Sequence, residues 1–86
     1  MEVMYTPRFA RAYKKLPEEI KDLAEKQEAI FRCNPFDPQL KTHQLKGGLK
    51  NLFSFSIGYK HRIIFEFSKD KKTVYFLTVG NHDVYK

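Results

Sequence analysis

The period of the hydrophobic residues changes once along the chain, and this change restricts the fold more than any other feature. Between Phe9 and Phe31 apolar residues recur at the spacing of amphipathic helices. From Leu52 onward apolar and polar residues alternate, which is typical of half-buried strands. Helices followed by strands predict an α+β fold in which the helices cover one face of a sheet.

Prolines set the boundaries of the predicted helices. A short apolar segment over residues 2–5 predicts a first strand, and the helical pattern that follows it runs to Leu16. Pro17 ends this helix and suits the start of a second one, where Glu18 and Glu19 complement the helix dipole. Asn34-Pro35 ends the second helix. The two helices therefore form a hairpin.

The second half predicts strands at 52–57, 60–67 and 73–79, with turns at Gly58-Tyr59 and around Asp70. The last strand is apolar on both faces, which predicts a central position, and residues 40–46 can add a short further strand. The predicted order is β-α-α-β-β-β, an antiparallel sheet with a helical hairpin packed on one face.

Length and composition predict a single domain over residues 1–86, because a chain of 86 residues cannot form two hydrophobic cores. No apolar run approaches the roughly 18 residues of a membrane span, and no secretory signal is recognisable, so we expect a cytoplasmic protein without a membrane partner.

Cys33 is the only cysteine, and the histidines lack paired ligand spacing. We therefore expect no metal and no other cofactor.

The net charge of +6 comes entirely from the second half of the chain. Residues 1–40 are neutral overall, whereas residues 41–86 carry nine basic and three acidic side chains. No acidic residue occurs between Asp37 and Glu66. Such a concentrated positive charge favours a polyanion such as nucleic acid, although a basic surface can also serve solubility alone. The lysines predicted to contact RNA are Lys41, Lys46, Lys50, Lys60 and Lys86.

Arg62 is the most informative single residue. Strand alternation places it on the sheet face away from the helices, together with Ser54, Ser56, Lys60 and Glu66, so we expect this face to be polar and open. A guanidinium within a strand needs solvent, a carboxylate or a ligand phosphate. Two interpretations stay open: an ion pair with Glu66 or another acid, or a contact with a phosphodiester whose developing charge it stabilises.

Three further side chains complete the candidate site. His82 follows Gly80 at the end of the last strand and titrates near neutrality, so it can serve as a general acid or base. Tyr85 can stack on a base, donate its hydroxyl or anchor the core. His43 lies in the acid-free segment.

The chain resembles the RelE/ParE superfamily of toxins from type II toxin-antitoxin pairs, and within it the RelE-like and YafQ-like mRNA interferases. The resemblance rests on the element order and on these segments: Phe9-x-x-x-Tyr13-Lys14-Lys15-Leu16-Pro17, Leu45-Lys46-Gly47, Tyr59-Lys60-His61-Arg62-Ile63-Ile64-Phe65 and Val79-Gly80-Asn81-His82-Asp83-Val84-Tyr85. It implies a ribosome-dependent, metal-independent endoribonuclease that cleaves message in the A site through attack by the 2′-hydroxyl. It also implies a cognate acidic antitoxin in a hetero-oligomeric complex.

The resemblance assigns roles residue by residue. Arg62 matches the strand arginine that contacts the scissile phosphate, His82 a catalytic histidine of several branches, and Tyr85 an aromatic residue near the C-terminus. Lys46 matches a basic residue before the sheet and His43 a histidine of the YafQ-like branch. The further histidine and aspartate of that branch are missing, because residues 51–55 read Asn-Leu-Phe-Ser-Phe. The assignment of general acid and base therefore stays open.

Two other functions compete with message cleavage. The ParE-like branch of the superfamily inhibits DNA gyrase without chemistry and does not need the set formed by Arg62, His82 and Tyr85. A simple nucleic-acid-binding domain, neither toxin nor enzyme, would also account for the charge.

Overall fold

A computed structural model describes residues 1–45 and 51–81. Two helices and five strands confirm the predicted α+β class, and the proposed short strand before residue 46 is present as β2. The elements are β1 (Glu2–Tyr5), α1 (Pro7–Lys14), α2 (Glu18–Cys33), a 3₁₀ turn (Pro38–Leu40), β2 (His43–Gln44), β3 (Phe53–Ser56), β4 (His61–Phe67) and β5 (Thr73–Asn81). Within the described ranges, no helix has the length and apolar character needed to cross a membrane.

The five strands form one sheet in the order β1-β5-β4-β3-β2. β5 lies between β1 and β4, which confirms the central position that its apolar sequence predicts. Strands β2 to β5 pair in antiparallel fashion, as predicted, whereas β1 adds to β5 in parallel. The short apolar segment over residues 2–5 predicts a strand but does not specify its partner, so this parallel pairing could not be read from the sequence.

Aromatic side chains fill the space between the helices and the sheet. Phe31 of α2 is fully buried and lies at the centre of this core. Its ring stacks on Phe55 of β3 at 4.7 Å between ring centroids and meets the edges of Phe65 and Phe76 at 4.9 and 5.4 Å. One side chain of α2 thus contacts strands β3, β4 and β5 and fixes the helix across the sheet.

Thr6 fixes the junction between β1 and α1. Its hydroxyl accepts a hydrogen bond from the backbone N–H of Phe9 at 3.1 Å, which caps the helix. The same hydroxyl lies 3.1 and 3.0 Å from the carbonyl oxygens of Phe76 and Leu77. β1 therefore separates from β5 at Phe76, and α1 lies beside the remaining residues of β5.

A β-bulge in β5 begins at the same point. Ile64 pairs with Thr78 and Phe65 pairs with Phe76, so Leu77 is an extra residue without a direct partner on β4. In a regular strand without the bulge, alternation from Val74 and Phe76 would turn Thr78 towards the core. The bulge instead places Val79 in the core and turns Thr78 and Gly80 to the opposite face.

We predict that Phe31→Ala lowers the free energy of unfolding by about 3–5 kcal/mol, because it leaves a cavity at the meeting point of three strands. Phe36→Ala is the matched control: its ring is 55% exposed and contacts only the edge of the core, so its loss costs much less. Urea denaturation of both variants measures the difference. Equal destabilisation would contradict the central role of Phe31.

Candidate active site

The sheet face away from the helices carries Arg62 at the end where β3 turns into β4. Arg62 lies directly opposite Ser56 on β3 and Gly80 on β5, so these three residues form one row across the sheet. Arg62 donates a hydrogen bond from Nη1 to the Ser56 hydroxyl at 3.1 Å. The guanidinium is half-buried. This hydrogen bond uses one of the five N–H donors of the guanidinium and fixes its orientation. The other N–H groups can donate to an anion.

The alternative role of Arg62 as the ion-pair partner of Glu66 is wrong. The described ion pairs are Lys21–Glu18 and Arg32–Glu28, both on α2. Glu66 lies four residues further along β4, about 13 Å away at the rise of a strand, and is opposite Tyr75. Ser56 takes the place of the carboxylate, and no carboxylate within residues 1–45 and 51–81 forms an ion pair with Arg62.

Helix α2 supports this end of the sheet. Gln27 donates a hydrogen bond from Nε2 to the carbonyl oxygen of Ser56 at 2.9 Å. In the following turn Gly58 has φ +114°, and a Cβ there would lie 3.0 Å from Cδ1 of Leu23. Both the backbone conformation and the close approach favour glycine at this position. The turn that precedes Arg62 is therefore held against α2 rather than left free.

The centre of the same face is buried, contrary to the polar and open surface that alternation predicts. Ser54, Ile64 and Thr78 lie side by side on β3, β4 and β5, and all three are buried, as is Leu45 after β2. Alternation assigns a side chain to a face but does not report how its neighbours shield it. The Ser54 hydroxyl has no hydrogen-bond partner within the part of the chain that the structure describes.

The remaining described candidates lie around this buried centre. His43 is opposite Ser54, so it shares the face of Arg62 but lies two strands away. Its ring is exposed, and Nδ1 is 3.1 Å from the carbonyl oxygen of Lys41. Lys41 and Lys60 are exposed at opposite ends of this region, one before β2 and one before β4. The structure thus brings His43 and Arg62 to one face without direct contact.

Five predicted site residues lie outside the described residues, so their positions stay predictions: Lys46, Lys50, His82, Tyr85 and Lys86. Asn81, the last described residue, is opposite His61 at the end of the sheet that carries Arg62. The described chain therefore stops next to Arg62, one residue before His82.

Tyr59 is a candidate that sequence reasoning assigned only to a turn. Its side chain is 98% exposed at the tip of the turn that leads into Arg62. Exposed aromatic rings of this kind provide a face on which an unpaired base can stack. The signal in the sequence is an aromatic residue directly after a turn glycine and before a lysine, where burial of the ring is not expected.

The opposite side of the molecule is acidic and aromatic. The rings of Tyr5, Phe9 and Tyr13 follow one another along a groove that Glu25 and Glu28 also line. The Tyr5 hydroxyl donates to Glu28, and Arg32 donates two hydrogen bonds to the same carboxylate oxygen. Partial burial, followed by the hydrogen bond to Glu28, raises the pKa of Tyr5. This groove is unsuited to a phosphate.

Groups of three or more histidine, cysteine, aspartate or glutamate side chains that could hold a metal ion are not found within residues 1–45 and 51–81. The chemistry that the described site offers is electrostatic: a guanidinium that forms no ion pair with a described carboxylate, flanked by exposed lysines, a histidine and an aromatic ring.

No protein-family profile matches the chain, and no curated protein sequence matches it. Solved structures do match. A YoeB/ParE toxin from Agrobacterium tumefaciens superposes with a TM-score of 0.79 at 18% identity, covering 95% of this chain and 99% of that one. YafQ from Escherichia coli gives 0.78 at 15% identity, covering 98% and 96%. A chain of the RelBE2 toxin-antitoxin complex from Mycobacterium tuberculosis gives 0.76 at 22% identity, covering 94% and 96%. The protein has the RelE/ParE toxin fold over nearly its whole length.

Proposed function

We propose that the protein is the toxin of a type II toxin-antitoxin pair and acts as a ribosome-dependent endoribonuclease on mRNA. The observation that carries the proposal is the placement of Arg62, whose guanidinium is held at one end of the sheet face by Ser56 and forms no ion pair with a described carboxylate. The fold, shared with YoeB, YafQ and RelE toxins, supports the same function. A non-enzymatic gyrase inhibitor would have no need of a guanidinium so placed.

The proposed reaction needs no metal. The 2′-hydroxyl oxygen attacks the adjacent phosphorus, the bond from phosphorus to the 5′ oxygen breaks, and the products are a cyclic 2′,3′-phosphate and a free 5′-hydroxyl. Negative charge grows on the phosphoryl oxygens during this step, and donors preorganised by the protein stabilise it. Arg62 supplies such donors. One proton must leave the 2′-hydroxyl and another must reach the 5′ oxygen, and His82 is the proposed carrier of one of them.

The proposed partners are an acidic antitoxin, the ribosome and its bound message. RelBE2 is by its name a toxin-antitoxin complex, which supports a hetero-oligomeric assembly here as well. The net charge of +6 gives an acidic partner an electrostatic reason to bind.

A purified translation reaction tests the function directly. We expect the wild-type protein to cleave message that is bound to translating ribosomes, and we expect no effect on gyrase supercoiling measured in parallel. Loss of supercoiling activity with intact message would contradict the proposal and favour the ParE-like function instead.

We predict that Arg62→Ala lowers the single-turnover cleavage rate by roughly 10²- to 10³-fold, the usual effect of removing one charge-stabilising donor. Ser56→Ala is the matched control, because it removes the 3.1 Å hydrogen bond but keeps the guanidinium. Both variants lose one half-buried hydrogen bond, so each should lose only about 1 kcal/mol of stability. Equal loss of rate in the two variants would show that Arg62 acts only as a structural partner of Ser56.

We predict that His82→Ala lowers the cleavage rate by roughly 10²- to 10⁴-fold, the range of general acid-base catalysis, and leaves ribosome binding nearly unchanged. His43→Ala should have a smaller effect, since His43 lies two strands from Arg62. Rates measured on ribosomes across a pH range around about 6.5, the usual histidine pKa, test the assignment. A full rate with an unchanged pH profile in His82→Ala would remove His82 from the mechanism.

Tyr59→Ala should weaken binding of the protein to the ribosome-bound message, because loss of a stacked base costs about 1–3 kcal/mol. Tyr59→Phe keeps the ring and should bind normally. The ring is almost fully exposed, so neither change should alter stability. Equal affinity of the alanine and phenylalanine variants, measured with uncleavable message, would exclude stacking by Tyr59.

A further inference from the structure

A second basic site lies beside β5, on the far side of that strand from Arg62. A cavity of about 390 Å³ is lined by Arg8, Arg11 and Lys15 together with residues 78–80 of β5. Its volume is in the lower part of the range of ligand pockets, roughly 300–1,000 Å³. Among the described residues, the lining includes three cations and no carboxylate.

The geometry of α1 explains why the three cations converge. Positions 8, 11 and 15 are spaced by three and four residues, so these side chains share one face of the helix. The opposite face carries Phe9 and Tyr13, which pack towards the core and α2. None of the three cations forms an ion pair with a described carboxylate. Three uncompensated positive charges on one helix face repel one another, and an anion between them would relieve that repulsion.

The wall formed by β5 connects this cavity to the candidate active site. Gly80 lines the cavity and is also the direct opposite of Arg62. Adjacent strands are about 4.8 Å apart, so the cavity begins one strand spacing from Arg62. Gly80 has no side chain to separate the two sites. Gly80 therefore borders both Arg62 and the cavity that Arg11 lines.

The geometry points to a phosphate-binding subsite of Arg8, Arg11 and Lys15, which holds the backbone of the RNA strand away from the phosphate that Arg62 contacts. The expected ligand is a phosphodiester, since guanidinium groups match phosphate oxygens with paired donors. The inference rests on the proposed function for the identity of the strand as RNA. Backbone contacts of this kind position a substrate without reading its sequence.

The salt dependence of RNA binding tests the subsite without any cleavage. The probe is a fluorescent 2′-O-methyl RNA oligonucleotide, which lacks the attacking hydroxyl, and its affinity is measured between about 50 and about 200 mM salt. The test variant is Arg8→Gln/Arg11→Gln. The matched control is Lys14→Gln/Lys26→Gln, which removes the same charge from exposed positions that do not line the cavity.

Loss of one phosphate contact should reduce the slope of log affinity against log salt by about 0.7 in the test variant. The control should keep the slope of the wild type. Equal slopes in the two double variants, or no binding of the oligonucleotide by the wild type even at low salt, would overturn the inference. Binding of a polyglutamate peptide is measured as a further comparison. If Arg8→Gln/Arg11→Gln keeps its RNA binding but loses binding of this peptide, the inference is also overturned, because the cavity would then bind carboxylates of a protein partner.

Arg62→Gln in the same assay separates this inference from the proposed function. If the slope falls for Arg62→Gln but not for Arg8→Gln/Arg11→Gln, the subsite is overturned and the proposed function stands. If the slope falls for Arg8→Gln/Arg11→Gln and the message stays uncut in the translation reaction, the result supports the subsite and counts against the proposed function.

Discussion

The position at which β1 separates from β5 determines most of what is distinctive in this molecule. Thr6 caps α1 and bonds to the carbonyl oxygens of Phe76 and Leu77, so the helix must begin beside β5 rather than above the middle of the sheet. Leu77 is also the extra residue of the bulge. A single threonine thus links the start of α1 to the point where β5 changes the face of its side chains, and both the row of Arg62 and the basic cavity lie beyond that point.

The elements of this fold were readable from the sequence because each follows from a local pattern. The helical spacing around Phe31 and the alternation around Phe55 reflect burial on one side, which is a property of a few adjacent residues. The parallel partner of β1 and the bulge at Leu77 were not readable. The first depends on contacts between residues some seventy positions apart, such as those of Thr6 with β5, and the second depends on how β4 pairs with β5.

The candidate site was predicted in part for the same reason. Alternation correctly assigned Arg62 and Ser56 to one face. It also suggested Glu66 as the partner of Arg62, because Glu66 is an acidic residue on the same face of the same strand. The neighbouring strand decides the contact. Tyr59 was missed because a turn residue gives no periodic signal, and its exposure is apparent only once the hairpin is built.

Opposite charges of the two helices lie on the two sides of α1. The outer face of α1 presents Arg8, Arg11 and Lys15 beside β5, whereas Glu25 and Glu28 of α2 line the aromatic groove on the other flank of α1. The first surface attracts a polyanion and the second repels it, so the RNA of the proposed function would approach the side that carries Gly80 and Arg62. Because residues 1–40 are neutral in sum, the net charge of the chain does not report this division. For the proposed substrate, the separation of opposite charges on the two sides of α1 therefore matters more than the excess of positive charge.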